Sequence, residues 1–245
     1  MEVTFASAKQ FQSLISAVSA LVEEGEFFFD EEGMKLRAMD PSQIAMVDLF
    51  YPKSAFESYS SSGESIGVNM ADLEKVVKRA KAEDRLTIKK GDGRLVLVFK
   101  GKTKRTFTLP LMDLGGVMPK EPSIPFDAEV KVYADFLKDS FKDASIVSSH
   151  VVLKATKEAF YIEARGDKGE VNIVAEKGED VIAGLDVKAD SRAIFPLGYL
   201  NDLISSAEST MIVSLYLKTD APLKMVYNIG DGRVSYYVAP RIESA

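Results

Sequence analysis

Apolar residues return every three or four positions in four separate stretches of the chain. Phe11, Leu14, Ile15, Val18, Leu21 and Val22 form the first stripe, a spacing that predicts an amphipathic helix. Leu73, Val76, Val77 and Ala80 form the second, and Phe136, Leu137, Ser140, Phe141 and Ala144 the third. Tyr199, Leu200, Leu203, Ile204 and Ala207 form the fourth. Runs rich in Val, Ile, Phe and Tyr predict strands at 45–51, 86–90, 94–100, 104–109, 151–155, 159–165, 170–176, 211–217, 222–229 and 233–239. Each helix is short and is followed by strands.

The order helix, strands, helix, strands therefore occurs twice. Gly-Met-Lys-Leu-Arg-Ala at 33–38 runs parallel to Ala-Phe-Tyr-Ile-Glu-Ala at 159–164. Leu73, Val76, Val77 and Ala80 match Leu200, Leu203, Ile204 and Ala207 at one constant shift. This self-similarity predicts an α+β chain of two similar domains, 1–112 and 127–245. Three prolines and two glycines in 113–126 suit an extended connector between them. Gly-Asp-Gly-Arg occurs at 91–94 and at 230–233, in different registers of the two halves. It reads as hairpin-turn chemistry outside the repeat.

The polar faces separate into two kinds. Lys9, Gln12, Ser13, Ser16 and Ser19 lie opposite the first stripe, and Asn201, Asp202, Ser205 and Ser206 opposite the fourth. Lys75, Lys78 and Arg79 mark the second helix, and Lys138 and Lys142 the third. Such surfaces suit diffuse, sequence-independent contact with phosphates, and they equally describe ordinary solvated faces. Arg79, Lys81 and Arg105 are basic, whereas Asp139 and Asp143 sit four apart on the third helix, where like charges repel mildly. That pattern fits both a docking interface between subunits and plain surface charge.

With 46% apolar and 28% charged residues, the 245-residue chain reads as folded and globular, not disordered. No apolar run approaches the ~20 residues that span a bilayer, and the opening MEVTFASAKQF lacks the marks of a signal peptide. The absence of cysteine excludes disulfides and thiolate metal sites, so an intracellular protein is the expectation. A net charge of −6 argues against a monomer that grips nucleic acid, because neutralising phosphates needs a basic footprint.

Catalytic signals are sparse. Gly63-Glu64-Ser65-Ile66-Gly67 fits the nucleophile-elbow pattern, and His150 is the sole histidine, so a serine hydrolase built on Ser65 and His150 is one alternative. That elbow needs a helix starting at the serine, whereas the next helix here is expected only near Met70. Phosphate-binding loops, His-Glu-x-x-His and dinucleotide-binding glycine motifs are absent. Glu23-Glu24 and Asp30-Glu31-Glu32 read as helix-end and hairpin-loop charges. No catalytic residue, metal or cofactor is expected.

Three segments carry a resemblance. Leu36-Arg37-Ala38-Met39-Asp40-Pro41-Ser42-Gln43-Ile44-Ala45-Met46-Val47 resembles the early strand and turn of the proliferating cell nuclear antigen family of sliding clamps. Leu111-Met112-Asp113-Leu114 resembles the start of that family's interdomain connector, and Tyr236-Tyr237-Val238-Ala239-Pro240-Arg241-Ile242-Glu243 its C-terminal signature. Tyr199-Leu200-Asn201 also fits, and the ordered set covers essentially the whole chain. The short C-terminus and the charge pattern resemble archaeal members more than eukaryotic ones.

The resemblance implies the DNA clamp fold, in which subunits join head to tail into a ring with helices inside and sheets outside. It implies a non-enzymatic processivity factor on duplex DNA, active as a homotrimer. The implied partners are an ATP-dependent clamp loader, a replicative DNA polymerase, a flap endonuclease and a DNA ligase. No membrane is involved, and the place is the nucleoid in an archaeon or the nucleus in a eukaryote. Lys75, Lys78, Lys138 and Lys142 match DNA-facing basic positions. Where relatives carry lysine on the first and fourth helices, this chain has Gln12, Ser13, Ser19 and Ser205. Edge strands near 104–109 and 170–177 would form the subunit joint, with Arg79, Lys81 and Arg105 meeting Asp139 and Asp143 of a neighbour. Partner peptides would bind at Met39, Ile44, Met46, Val117, Met118, Pro222, Tyr237, Ala239, Pro240 and Arg241. A subunit of a heterotrimeric or checkpoint-type clamp, or a two-domain interaction scaffold without DNA, are the remaining alternatives.

Overall fold

A computed structural model of the chain describes residues 1–242; Glu243, the last residue of the C-terminal segment quoted above, lies outside the described residues. Two compact units are present. Met1–Lys120 with Asn228–Val234 forms the first, and Glu121–Tyr227 with the chain from Ser235 onward forms the second.

The first unit opens with strand β1 (Glu2–Phe5), helix α1 (Ala8–Ser19), β2 (Glu24–Phe29), β3 (Gly33–Met39) and β4 (Ala45–Pro52). It continues through β5 (Ser58–Ser60), β6 (Glu64–Asn69), helix α2 (Met70–Val77), β7 (Arg85–Gly91), β8 (Arg94–Lys100) and β9 (Lys104–Pro110). The strands pair antiparallel in two runs, β5-β1-β7-β8-β9 and β4-β3-β2-β6.

In the second unit the chain runs β10 (Ala128–Tyr133), α3 (Ala134–Val147), β11 (His150–Ala155), β12 (Ala159–Gly166), β13 (Gly169–Glu176) and β14 (Ile182–Val187). Then come β15 (Ser191–Pro196), α4 (Leu197–Ser205), β16 (Ile212–Leu217), β17 (Leu223–Ile229) and β18 (Gly232–Val238), the facing ends of the last two, within Asn228–Val234, falling in the first unit. The runs are β14-β10-β16-β17-β18 and β13-β12-β11-β15, which repeat the first unit's connectivity strand for strand. The parallel between 33–38 and 159–164 is the parallel between β3 and β12, and the matched second and fourth stripes are α2 and α4. Both copies of Gly-Asp-Gly-Arg are hairpin links, β7 to β8 and β17 to β18, which are not equivalent in the repeat. Asp92 and Gly93 have φ of 45° and 71°, the left-handed pair that a tight hairpin turn demands.

Two expectations need correction. Each unit begins with a strand, not a helix: β1 offers only Val3 and Phe5 as buried positions, too few for alternation to register, whereas β10 alternates the buried Ala128, Val130 and Val132. Three helices also end earlier than their stripes. Leu21, Val22, Ala80 and Ala207 lie past the α-helical ends yet stay buried. There the N–H groups of Leu21, Ala80 and Ala207 bond to carbonyls three residues back, tightening the final turn while keeping the stripe turned inward.

The core sits between helices and strands. Phe11, Leu14, Ile15 and Val18 of α1 are buried, as are Leu137, Phe141 and Ala144 of α3. Each such large side chain contributes about 1.5–3 kcal/mol relative to exposure. Helix α1 lies beside α2, and α3 beside α4. Residues 113–126 carry neither helix nor strand. Among the described residues no helix is long and apolar enough to cross a membrane.

Candidate functional site

The helices carry the first group of candidate side chains. On α2, Lys75 Nζ lies 3.0 Å from Asp72 Oδ1 and Lys78 Nζ lies 3.1 Å from Glu74 Oε2, both lysines exposed. Pairs of this kind contribute about 0.3–0.5 kcal/mol, so a phosphate can displace them readily. Lys142 of α3 sits similarly, 3.3 Å from Asp139 Oδ1. Lys138 is different. Its ammonium donates to the carbonyl oxygens of Ser205 and Ala207, at 3.3 and 2.5 Å, where α4 ends. A cation there satisfies carbonyls that the helix leaves open and complements the helix dipole.

Part of the polar surface expected on α1 and α4 joins helices instead. Ser16 Oγ donates to Glu74 Oε1 at 3.2 Å, linking α1 to α2. Asn201 Nδ2 donates to Ser145 Oγ at 3.2 Å, linking α4 to α3. Ser19 Oγ is buried and has no partner among the described residues. Asp135, Asp139 and Asp143 are all exposed on α3.

The second group lies at sheet edges. Strand β9 ends one run of the first unit, and β13 ends one run of the second. Val174 on β13 and Ile146 on α3 are 41% and 68% exposed, large apolar side chains beside an edge with open backbone groups. Asp143 stands exposed on the same helix. On the β9 side, Arg79 and Lys81 are exposed, but Arg105 is engaged within its own unit. Its Nη2 pairs with the buried Asp84 carboxylate, its Nη1 donates to the Arg79 carbonyl at 2.8 Å, and its guanidinium lies 5.3 Å from the Phe99 ring centre.

The third group surrounds the β3–β4 turn and the segment after β9. Met39 and Ile44 are 40% and 37% exposed, whereas Met46 belongs to the core. The buried Asp40 carboxylate shapes the turn by accepting N–H bonds from Ser42, Ile44 and Ala45 at 3.0, 2.7 and 2.7 Å. Met112 N–H donates to the Gly67 carbonyl at 2.8 Å, and a Cβ at Gly67 would stand 2.3 Å from the Met112 carbonyl oxygen. Only glycine allows that approach. Further on, Gly116 N–H donates to Glu26 Oε2 at 2.9 Å and Arg37 Nη1 donates to the Pro119 carbonyl at 3.2 Å. Val117 is 82% exposed, and Met118 is half-buried.

In the second unit Pro222, Ala239 and Pro240 are half-buried and Arg241 is exposed, its N–H bonded to the Ile194 carbonyl at 2.8 Å. Tyr237 is buried. Its hydroxyl donates to Glu121 Oε1 at 2.6 Å, and Lys224 Nζ pairs with the same oxygen at 3.1 Å. Asp40 could have been found from composition, since an aspartate followed by Pro-Ser suits an Asx turn. Glu26, Arg37 and Lys224 left no such signal, because their bonds span 90, 82 and 103 residues.

Comparison with known proteins matches residues 1–116 to the family "Proliferating cell nuclear antigen, N-terminal domain" and residues 120–242 to its C-terminal domain counterpart. The chain belongs to the proliferating cell nuclear antigen family. It is 38% identical over 245 residues to DNA polymerase sliding clamp 1 of Thermococcus kodakarensis, covering 99% of this chain and 98% of that protein. It is 36% identical over 246 residues to the DNA polymerase sliding clamp of Thermofilum pendens, covering 99% and 100%. The crystal structure of PCNA from Thermococcus kodakaraensis matches with a TM-score of 0.94 at 32% identity, over 98% of this chain and 99% of that one. A. fulgidus PCNA bound to the C-terminal region of FEN-1 matches with a TM-score of 0.89 at 28% identity, over 100% and 99%.

In this family member Ser65 makes no nucleophile elbow. It lies inside β6, paired with Phe28 of β2, and the chain stays extended until α2 begins at Met70. His150 opens β11, where burial and the charge of Arg241 hold its imidazole below the usual range.

Proposed function

We propose that this chain is a DNA polymerase sliding clamp, a processivity factor that encircles duplex DNA and recruits replication and repair enzymes. The observation that carries the reading is the full-length match to archaeal relatives named as sliding clamps. Three copies would close head to tail, β9 of one pairing with β13 of the next. Arg79 and Lys81 would then face Asp139 and Asp143, and Ile146 and Val174 would be covered. A heterologous contact of this kind closes when its rotation is right and leaves no open edge. Within the ring, α2 would supply most of the attraction for phosphate through Lys75 and Lys78, with Lys142 adding to it. Contacts so few and so weakly held let the ring slide.

Partner enzymes would dock short peptides on Met39, Ile44, Val117 and Met118 of the first unit. A relative bound to the C-terminal region of FEN-1 supports this mode, and a flap endonuclease is the first client to test. An ATP-dependent loader, a replicative polymerase and a DNA ligase complete the set, at the nucleoid of an archaeal cell. Light scattering on purified protein should give about three times 26.9 kDa. Loaded protein should stay linked to nicked circular plasmid and leave when the plasmid is cut. A monomer that never becomes linked to the circle would end the proposal.

A further inference from the structure

Two side chains bracket a two-residue stretch of the connector. Glu26 accepts from Gly116 N–H at 2.9 Å, and Arg37 donates to the Pro119 carbonyl at 3.2 Å. Val117 and Met118 lie between these anchors. Arg37 is itself aimed: its Nε pairs with Asp48 Oδ1 at 2.9 Å, directly across the β3–β4 ladder, with both side chains largely shielded from water. Glu26, Arg37 and Asp48 come from β2, β3 and β4, three neighbours in one run. The connector needs such restraint. Gly115 and Gly116 have φ of 86° and 65°, with nothing within 4 Å of where a Cβ would stand. Two adjacent unconfined glycines make this the most permissive part of the segment.

We propose that Glu26 and Arg37, with Asp48 behind Arg37, form a latch of positioning residues that presets the connector for partner peptides. The inference rests on the peptide-binding reading above and deepens it. A peptide that meets an ordered Val117-Met118 stretch need not order it on binding, and that raises affinity without a new contact. Arginine suits the task because its fork donates to a carboxylate and a carbonyl at once, whereas a lysine ammonium offers one point.

The test uses full-length protein and a fluorescent synthetic peptide of the FEN-1 C-terminal region, read by anisotropy, with amide exchange measured in parallel. Arg37→Met and Glu26→Ala should each weaken binding about tenfold, or ~1.4 kcal/mol. Arg37→Lys should fall between them and the unaltered protein. Amide exchange at Gly116, the connector N–H that is held, should quicken in both variants while the rest of the chain holds; Glu26→Ala should keep its melting temperature, and Arg37→Met should lower it because Asp48 loses its partner. Ile44→Ala is the control for the docking surface itself. If Ile44→Ala weakens binding while both latch variants bind normally, the latch is overturned. Weaker binding of Arg37→Met with unchanged exchange at Gly116 overturns it too. If the unaltered protein binds no peptide, the docking reading fails separately. Exchange alone then decides whether the latch orders the connector: faster exchange in the variants supports it, and unchanged exchange removes it. Should Arg37→Met fail to fold, Glu26→Ala at the opposite anchor settles the question by the same two readouts.

Discussion

Lysines that look alike in the sequence part company once their partners are known. Lys75 and Lys78 hold carboxylates one turn away on their own helix, the exposed Asp72 and the half-buried Glu74, whereas Lys138 caps the end of a neighbouring helix. Lys138→Ala should therefore lower unfolding stability by about 1 kcal/mol in a urea titration. The pair Lys75→Ala and Lys78→Ala should cost no more than about 1 kcal/mol of stability and shorten the products of clamp-dependent synthesis. Normal product lengths would move the DNA contact off α2. Arg105 follows the same logic. Arg105→Met strands the Asp84 carboxylate, whose side chain is 2% exposed, and should cost about 2–3 kcal/mol. No helical wheel or charge count singles out Lys138 or Arg105, because each depends on a partner from another element.

Stripes at helical spacing placed all four helices, and runs of β-branched and aromatic residues placed ten strands, including the edges β9 and β13, but not β2, β3, β6, β10, β14 or β15, which are six or seven residues long. Strands β1 and β5, with four and three residues, escaped because alternation needs more positions than they contain. How elements are tied together was invisible throughout. In the second unit, the buried Tyr227 hydroxyl donates to the Leu203 carbonyl of α4 at 2.8 Å and lies 3.2 Å from the Tyr236 hydroxyl. Burial pushes the Tyr227 phenol up to about 12 and Tyr236 well above its usual value. In the unfolded chain both ionise near pH 10, so their stabilising effect is complete below pH ~10 and is lost as pH rises through about 12. Urea midpoints should hold from pH 7 to 9 and fall steeply above 10. Tyr227→Phe should cost about 1 kcal/mol at pH 7 and flatten that alkaline fall.

At the scale of the whole molecule, a chain with a net charge of −6 is a poor partner for DNA as a monomer and an adequate one as a closed ring. Association is thus the property on which the proposed function turns. Asp139→Lys with Asp143→Lys should reduce the mass seen by light scattering from three chains to one. Adding Arg79→Glu and Lys81→Glu to the same chain should restore the trimer, since the attraction is then rebuilt with its signs exchanged. A fourfold variant that stays monomeric would show that the joint does not depend on these charges. High salt should weaken the unaltered joint only modestly, because covering Ile146 and Val174 is insensitive to screening.

The sequence by itself determined the duplication, the α+β class and the family, because each of these is written in local periodicity or in residues that stand in order along the chain. The tertiary structure alone decided which polar groups are available. It assigned Lys138 to a helix end, Arg105 to a buried carboxylate, Met46 to the core, and Glu26 and Arg37 to the connector. Those outcomes rest on contacts between residues tens of positions apart, and a contact at that separation leaves no trace in the spacing of either partner.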